Sequence, residues 1–282
     1  MQFLITGATG DVGSRVVECL LHQDIRPRVF VRDAAKARLC FGEQADIFTG
    51  DLADRSSLQT ALEGAGALFL LNSGPRIPVL DSIGAEAAKA AGVGHIIKLS
   101  SIDVEQNLAI GAWHEKGEAA IRSSGIPFTF VRPTGFMSNL LAWAPSIRKD
   151  GVIRSSTGDG LRAFIHSADI AAVVAKVLTG SGHRGEALAI TGPEALTFAD
   201  AGAKIGGAIG KPVGFESIPD EEAGTRFSAT GASAEKVEAH IALWRGIREG
   251  RLGIVTSTVE RMLGRKPVSL DQWAQENAAA FR

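Results

Sequence analysis

The sequence of 282 residues predicts an α/β protein built on a doubly wound parallel sheet. Short apolar runs rich in β-branched residues alternate with longer segments of helical spacing through the first half of the chain. These runs are apolar on both faces, which is typical of parallel strands buried between two layers of helices. The predicted strands are FLIT, PRVFV, ADIFTG, ALFLL, HIIKLS and FTFVRP.

The helices between these strands are predicted in VGSRVVECLLHQ, RSSLQTALEGA, IPVLDSIGAEAAKAAGV and HEKGEAAIRSSG. Gly92 and Gly94 close the third of them, and Gly125 with Pro127 closes the fourth. Glycine just past the last turn, with proline soon after, is typical of a helix end. Right-handed crossovers would bring the carboxyl ends of all strands to one edge of the sheet, where ligands bind in such folds.

After about residue 135 strand and helix patterns alternate less regularly. This change predicts a smaller mixed lobe that covers the ligand edge of the sheet. Helices are expected in HSADIAAVVAKVLTG, TFADAGAKIGGAIGKP, ASAEKVEAHIALWRGIREG and LDQWAQENAAAF, and short strands in GEALAIT and VGFESIP. We therefore expect two domains, a core in residues 1–150 and a smaller C-terminal α/β lobe in residues 151–282, interleaved with the core.

Composition excludes several classes of function. A formal net charge of −1 gives no electrostatic reason to bind nucleic acid or an acidic membrane surface. The two cysteines lie in no pattern with metal-ligand spacing, so no metal site is expected. The chain opens directly on a strand pattern and holds no uninterrupted apolar run of about 18 residues. The expectation is a cytoplasmic protein, a monomer or homodimer, that acts on small molecules.

A glycine-rich turn follows the first strand. Gly7, Gly10 and Gly13 lie in GATGDVG, and the helix begins near Asp11. The first glycine permits the tight turn, the second lets the backbone approach a pyrophosphate, and the third lets the helix pack close to the strand. The free N–H groups and the positive end of the helix dipole favour phosphate there. This context predicts a Rossmann-type dinucleotide site, and the alternative is a glycine-rich turn without a ligand.

The end of the second strand bears on the choice of cofactor. Arg32 stands at the strand tip, where a carboxylate would favour NAD and an arginine can pair with the 2′-phosphate of NADP. Asp33 is expected to cap the next helix, and Lys36 lies one turn later. We therefore expect NADP(H). The alternative is that Arg32 is only a solvated charge at the rim.

Two further strand ends are candidates for cofactor contacts. Asp51 and Leu52 follow the third strand, where they could hold the adenine through a hydrogen bond and an apolar contact. Asn72 and Ser73 follow the fourth strand and could line the middle of the cofactor. Asp51 could equally be an ordinary turn residue.

Taken together, the chain resembles the NmrA-like, atypical branch of the short-chain dehydrogenase/reductase superfamily. The resemblance rests on GATGDVG, VFVRD, GDLAD, IIKLSSI, HEKGEAAIRSSGIPFTFVRPTGFMSN, FIHSADIAAVVAKVL and VERMLGRKPVSLDQWAQENAAAF. Within this branch it is most similar to NADPH-dependent quinone and triarylmethane-dye reductases. The branch also includes regulators that bind dinucleotide and catalyse nothing, so the resemblance implies the fold more strongly than the function.

The resemblance implies roles at matching positions. The pyrophosphate would be cradled by the glycine turn, namely Gly7, Thr9, Gly10, Asp11, Val12 and Gly13. Arg32 would meet the 2′-phosphate, and Pro133 and Phe136 would lie near the nicotinamide. In reductase members a histidine followed by a glutamate four residues later opens the fifth helix, which here gives His114 and Glu118.

The segment WHEKGE departs from mainstream members, which carry a catalytic tyrosine with a lysine four residues later. The chain contains no tyrosine, and Ala112 stands at that position if Lys116 takes the place of the lysine. His114 and Lys116 are candidate catalytic residues, but they lie about 200° apart around a helix and can hardly serve one nicotinamide. His114 could donate the proton, with Glu118 orienting it. Alternatively, His114 is a packing residue and Lys116 a solvated one.

The segment TGFMSNLLAWAP supplies candidate substrate contacts, Met137, Asn139 and Trp143, and Phe164 is a further candidate from the C-terminal half. At helical spacing such residues belong as readily to a core as to a pocket. His166, just before a helix start, is expected to be structural.

The missing tyrosine favours one class of acceptor. A simple ketone that accepts hydride becomes an alkoxide, which needs a strong local proton donor. A quinone or another conjugated ring spreads the charge, and its product can take a proton from histidine or water. We therefore expect an NADPH-dependent reductase of a quinone or another conjugated, aromatic polyketide-like carbonyl compound. The alternatives are a non-catalytic NADP(H)-sensing regulator and an isomerase or epimerase that retains its cofactor.

Overall fold

The strands are short, and those of the main sheet lie where apolar, β-branched runs were expected, in a computed structural model that describes residues 2–282. In chain order they are β1 (Phe3–Thr6), β2 (Arg28–Val31), β3 (Asp46–Thr49), β4 (Ala67–Leu70), β5 (His95–Leu99), β6 (Phe128–Pro133), β7 (Gly135–Phe136), β8 (Val152–Ser155), β9 (Arg162–Ile165), β10 (Glu186–Ile190), β11 (Ala195–Leu196) and β12 (Gly214–Ser217). Seven of them form one sheet in the order β10-β6-β5-β4-β1-β2-β3. The pairs from β6 to β3 are parallel. The predicted doubly wound Rossmann-type fold is confirmed.

The helices alternate with the strands as predicted in the first half. They are α1 (Asp11–Leu21), α2 (Ala34–Phe41), α3 (Arg55–Leu62), α4 (Ile77–Ala90), α5 (Ala109–Ser124), α6 (Ala144–Asp150), α7 (Ser167–Thr179), α8 (Phe198–Ile209), α9 (Asp220–Ser228), α10 (Ala234–Arg248), α11 (Thr258–Leu263), α12 (Leu270–Glu276) and α13 (Ala278–Phe281). Turns of 3₁₀ helix cover Ile102–Val104 and Met137–Trp143. Gly92 and Gly125 follow α4 and α5 with φ of +71° and +76°, so the predicted helix ends are confirmed.

The chain divides into two compact units that alternate along the sequence. The first unit comprises Met1–Ser101, Trp113–Arg132 and Ile170–Leu188, and the second comprises Ile102–Ala112, Pro133–Asp169 and Ala189–Arg282. This division differs from the expected domains of residues 1–150 and 151–282. Most of α7 and the first residues of β10 belong to the first unit, and β10 joins the main sheet beside β6.

Each unit has its own apolar core. In the first, side chains from β1, β4, β5 and β6 pack with those of α3, α4 and α5, including Leu4, Leu68, Ile96 and Phe130. In the second, Phe198 of α8 is the centre of an aromatic group, with ring centroids 4.9 Å from Trp143 and 5.9 Å from Phe164. Two small sheets, in the orders β11-β9-β7 and β12-β8, complete the second unit. The sequence did not predict β7, β8, β9 and β11, which have at most four residues each.

Across residues 2–282, no helix has the length and apolar character that a membrane crossing requires.

Candidate functional site

The glycine turn after β1 has a backbone that only glycine accommodates. Gly7 has a φ of +62°, and its carbonyl accepts a hydrogen bond of 3.0 Å from the N–H of Gly10. A Cβ on Gly13 would lie 2.1 Å from that same carbonyl oxygen. Glycine at these positions therefore lets α1 begin directly against the turn.

The start of α1 provides donors for an anion. Gly10 occupies the N-cap, and no side chain caps the helix. The N–H groups of Val12 and Gly13 thus have no partner within the helix and lie at the positive end of its dipole. Val12 itself is buried, which fixes the first turn against the core, while Thr9 is half-buried and Asp11 exposed. The turn fits the pyrophosphate of a dinucleotide, as the sequence predicts.

The charges at the end of β2 are arranged as the sequence suggested. The carboxylate of Asp33 accepts a hydrogen bond of 2.9 Å from the N–H of Lys36 and so caps α2. Arg32 is exposed. Since Asp33 is committed to the cap, Arg32 is the side chain at the strand tip that remains available for an anionic group.

The turn after β3 has a structural role alongside any contact with a cofactor. Oδ1 of Asp51 accepts a hydrogen bond of 2.8 Å from the N–H of Ala53, and the residue is exposed. Leu52 is half-buried. Asp54 then caps α3 by accepting hydrogen bonds from the N–H groups of Ser56 and Ser57.

The end of β4 is tied to β1. The hydroxyl of Thr6 accepts a hydrogen bond of 2.8 Å from the N–H of Leu71 and lies 3.1 Å from the carbonyl of Phe69. Asn72 and Ser73 follow, Asn72 half-buried and Ser73 exposed. Nδ2 of Asn72 donates to Oδ1 of Asp81 at 2.7 Å. Oδ1 of Asn72 is buried and has no partner within residues 2–282.

Asp81 belongs to a buried ion pair that was not predicted from the sequence. Nζ of Lys98 in β5 lies 2.6 Å from Oδ2 of Asp81 in α4, and neither side chain is exposed. Burial raises the pKa of Asp81, and the Lys98 charge opposes that rise. The sequence signal for this ion pair is the lysine within the apolar strand HIIKL. A fully buried lysine almost always has a partner.

His114 lies in α5 and is buried, with only 8% of its surface exposed. Its Nδ1 has no hydrogen-bond partner in the described part of the chain. Burial chiefly, and the positive charge of Lys98 in addition, hold the pKa of His114 well below its usual range. The imidazole is therefore neutral at pH 7. A pKa this low does not favour His114 as a proton donor near neutral pH, and the burial that causes it could not be seen in the sequence.

The orientation of α5 separates the two catalytic candidates. Its buried positions include His114, Gly117, Glu118 and Ile121. The helical spacing of the segment alone would favour a buried face of Trp113, Gly117, Ala120 and Ile121, so the helix is rotated from that face by about one residue. Lys116 is exposed. The structure therefore keeps Lys116 apart from His114, which agrees with their separation of about 200° around the helix.

Glu118 holds α5 to the main sheet. It is fully buried and accepts a hydrogen bond of 2.6 Å from the Ser100 hydroxyl, beyond β5. Arg132 of β6 donates to it through Nε at 2.9 Å and Nη2 at 2.6 Å, and Arg122 donates at 3.0 Å. Both carboxylate oxygens are thus engaged, and neither orients His114 through its Nδ1.

The candidates for nicotinamide and substrate contacts from the last residue of β6 onward lie in the second unit. Pro133 is buried and Phe136 half-buried. Met137 and Phe164 are 1% and 4% exposed and belong to the core of this unit. Trp143 is half-buried against Phe198, and Asn139 is exposed.

His166 has the structural role that was expected of it. Its Nδ1 accepts a hydrogen bond of 2.9 Å from the N–H of Ala168 in the first turn of α7.

Comparison with known proteins agrees with this geometry. Residues 7–181 match the NAD(P)H-binding protein family. The chain is 38% identical over 99% of both chains to a (4-alkanoyl-5-oxo-2,5-dihydrofuran-3-yl)methyl phosphate reductase of Streptomyces griseus. It is 34% identical, again over 99% of both, to an NAD(P)H azoreductase of Xenophilus azovorans. The NADPH-dependent quinone oxidoreductase of Escherichia coli, solved with NADPH, has a TM-score of 0.89 at 26% identity and covers 98% of this chain and 99% of its own.

The glycine turn of Gly7, Gly10 and Gly13, from here on called the glycine cradle, lies inside the matched region. The resemblance noted from the motifs is confirmed. The chain belongs to the NAD(P)H-binding family and is an NAD(P)H-dependent oxidoreductase.

Proposed function

We propose that this protein is an NADPH-dependent reductase of a quinone or another conjugated, aromatic polyketide-like carbonyl compound. The observation that carries the proposal is the polar set of half-buried Asn72 with buried Asp81, Lys98 and His114, in the same unit as the glycine cradle. The chain has no tyrosine to act beside it. The bound nicotinamide supplies the hydride.

His114 acts as a hydrogen-bond donor in this proposal. A neutral imidazole can polarise an acceptor oxygen through its N–H without transferring the proton. Lys98 adds positive charge near the imidazole, and Asp81 and Asn72 hold that lysine in place. No strong acid lies in this polar set, so the product anion takes its proton from water. A product that delocalises its negative charge is stable long enough for this, whereas an alkoxide needs a local proton donor.

The relatives support a conjugated acceptor. Their names specify a dihydrofuranone phosphate, an azo compound and a quinone, and each of these has a conjugated system that can accept hydride. We extend this class to the present chain. The exposed residues Asn139 and Lys116 have no role in the proposed step.

The preference for NADPH over NADH is assigned to Arg32. An exposed guanidinium at the tip of β2 offers a fork of donors to a 2′-phosphate. Asp33, which would otherwise oppose that phosphate, is engaged in the cap of α2. Asp51 and Leu52 would lie by the adenine, and Ser73 by the middle of the cofactor.

The test is oxidation of NADPH or NADH by the purified protein in the presence of quinones and azo dyes, followed by absorbance. We expect turnover with NADPH, a slower rate with NADH, and a loss of about tenfold or more in kcat for His114→Ala. His22→Ala, on the exposed end of α1, is the matched control and should keep the wild-type rate. Tight NADPH binding without turnover of any acceptor would identify a sensor, and substrate conversion without loss of NADPH would identify an isomerase.

A further inference from the structure

A pocket in the second unit is lined by residues that the proposed function does not use. It is formed where α6, α8 and α13 end, together with the turn between α8 and β12. Its volume is about 250 Å³. Pockets for drug-sized ligands usually have about 300–1,000 Å³, so this one has room for a small molecule.

The buried part of the lining is apolar. Ile147 and Phe281 are 6% and 2% exposed and belong to the core of the unit, and Val213 packs against that core. The N–H of Gly214 donates to the carbonyl of Gly151 at 2.8 Å, which joins the end of α6 to the start of β12. The pocket therefore offers a ligand a fixed apolar surface, whose burial would stabilise a complex.

The exposed part of the lining is basic. Arg148, Lys149 and Lys211 contribute to it, and neither lysine forms an ion pair within residues 2–282. Nη1 of Arg148 donates to the carbonyl of Ala280, which holds the guanidinium at the pocket and uses one of its five N–H donors. Cationic donors thus remain available beside the apolar surface.

Nearby negative charge does not cancel these cations. The carboxylate of Asp150, which also lines the pocket, pairs with Arg154 at 2.9 Å. The carboxyl ends of α6 and α8 each add a negative charge of about one half. Arg148, Lys149 and Lys211 together exceed this, so a positive potential remains over the apolar surface and favours an anion.

We propose that this pocket binds a small free carboxylic acid, aromatic or short-chain, as its anion. The carboxylate lies at the basic part of the lining, where guanidinium and ammonium groups donate charge-assisted hydrogen bonds. The apolar body of the acid covers Ile147, Val213 and Phe281. The site belongs to the second unit alone and does not rest on the proposed function.

The test is an NMR titration of the isotope-labelled full chain with benzoate and with neutral benzamide. We expect benzoate to shift the amide resonances of Gly151 and Val213 with a Kd on the order of 1 mM, as its small size allows. Benzamide, which lacks the charge, should bind at least about fivefold more weakly. Inorganic phosphate, which lacks the apolar body, should also bind more weakly than benzoate. Binding of either control as tightly as benzoate would overturn the site.

Charge-reversed variants locate the ligand. Lys211→Glu should weaken benzoate at least about fivefold, because it removes a cation and adds an anion beside the bound carboxylate. Lys89→Glu, at an exposed position of α4 in the first unit, makes the same change in net charge and should keep the wild-type affinity. Equal weakening in both variants, or unmoved resonances of Gly151 and Val213, would contradict the proposal. Shifts that follow protein concentration without any ligand would identify a second copy of the chain as the occupant and would also overturn it.

Discussion

Oδ2 of Asp81 lies where a side chain on Gly117 would begin, since a Cβ at Gly117 would be 1.9 Å from that oxygen. The glycine therefore lets a buried carboxylate of α4 approach the backbone of α5 one turn after His114. Through Asp81 this contact also places Lys98 at 2.6 Å and Asn72 at 2.7 Å. A position that appears in the sequence only as a helix-weakening glycine sets the geometry of the buried polar set.

Replacing this glycine should disturb the polar set. Gly117→Ala forces Asp81 or α5 to move, and we expect the free energy of unfolding to fall by about 1–3 kcal/mol. Gly207→Ala in α8 is the control, because nothing lies within 4 Å of a Cβ there and the residue is exposed. Alanine there should stabilise the helix by about 1 kcal/mol. Denaturation in urea measures both, and an unchanged midpoint for Gly117→Ala would contradict the close approach.

Removing the buried lysine should have two effects. Lys98→Met leaves the carboxylate of Asp81 buried without its charge partner, and we expect a loss of about 3–5 kcal/mol in the free energy of unfolding. Lys98→Met with Asp81→Asn should recover part of this loss, because no buried charge remains. In either variant that folds, the pKa of His114 should rise, since Lys98 contributes to lowering it. Proton NMR titration of the histidine measures this, and an unchanged pKa would show that burial alone sets it.

The first unit could be predicted from sequence because its signals are local. Alternation of strands and helices, the glycine turn and the caps at Asp33, Gly92 and Gly125 each depend on a few neighbouring residues. The short strands of the second unit could not be predicted, because their pairing depends on distant partners such as Ala195 with Ala163.

The candidate site shows the same limit. The glycine cradle was predictable, whereas the pairing of Asp81 with Lys98 joins an α4 residue to a β5 residue and leaves no mark in spacing. The rotation of α5 differs by about one residue from the one that apolar spacing favours, because the segment carries few large apolar side chains. His114 and Glu118 are buried there through polar contacts, which an apolar pattern does not reveal.

The glycine cradle makes a direct prediction about cofactor affinity. Gly13→Ala would place a Cβ 2.1 Å from the carbonyl oxygen of Gly7, so α1 must move away from the turn. We expect NADPH binding, measured by calorimetry, to weaken at least about tenfold because the phosphate-facing N–H groups move with the helix. Gly207→Ala is again the control, and wild-type affinity in Gly13→Ala would contradict the assignment of the cradle.

The buried state of His114 predicts the pH dependence of turnover. Because its pKa is held well below the usual range, we expect kcat with a quinone to show no step near pH 6.5 that depends on this residue. His114→Gln, which keeps an N–H donor, should retain more activity than His114→Ala. A bell-shaped profile that loses its limb near pH 6.5 in both variants would instead indicate an imidazolium acid.

His95 predicts how stability depends on pH. It is buried in β5, and burial first, with Arg184 second, lowers its pKa to about 4. Its ring lies 2.9 Å from the hydroxyl of Thr129, which donates its own proton to the His183 carbonyl, so Nε2 carries the hydrogen. Between pH 6.5 and about 4 the unfolded chain binds a proton that the native state does not, and the free energy of unfolding falls as the pH falls.

Through this one group, the free energy of unfolding can change by up to about 1.4 kcal/mol per pH unit within that window, and this dependence vanishes above pH 6.5. His95→Gln keeps a donor for Thr129 and removes the titrating ring, so its stability should decline less steeply on acidification. His22→Gln, on the exposed end of α1, should follow the wild-type curve. Urea denaturation between pH 4 and pH 8 measures all three proteins. Equal slopes for wild type and His95→Gln would show that the native protein accepts the proton at His95 as readily as the unfolded chain does.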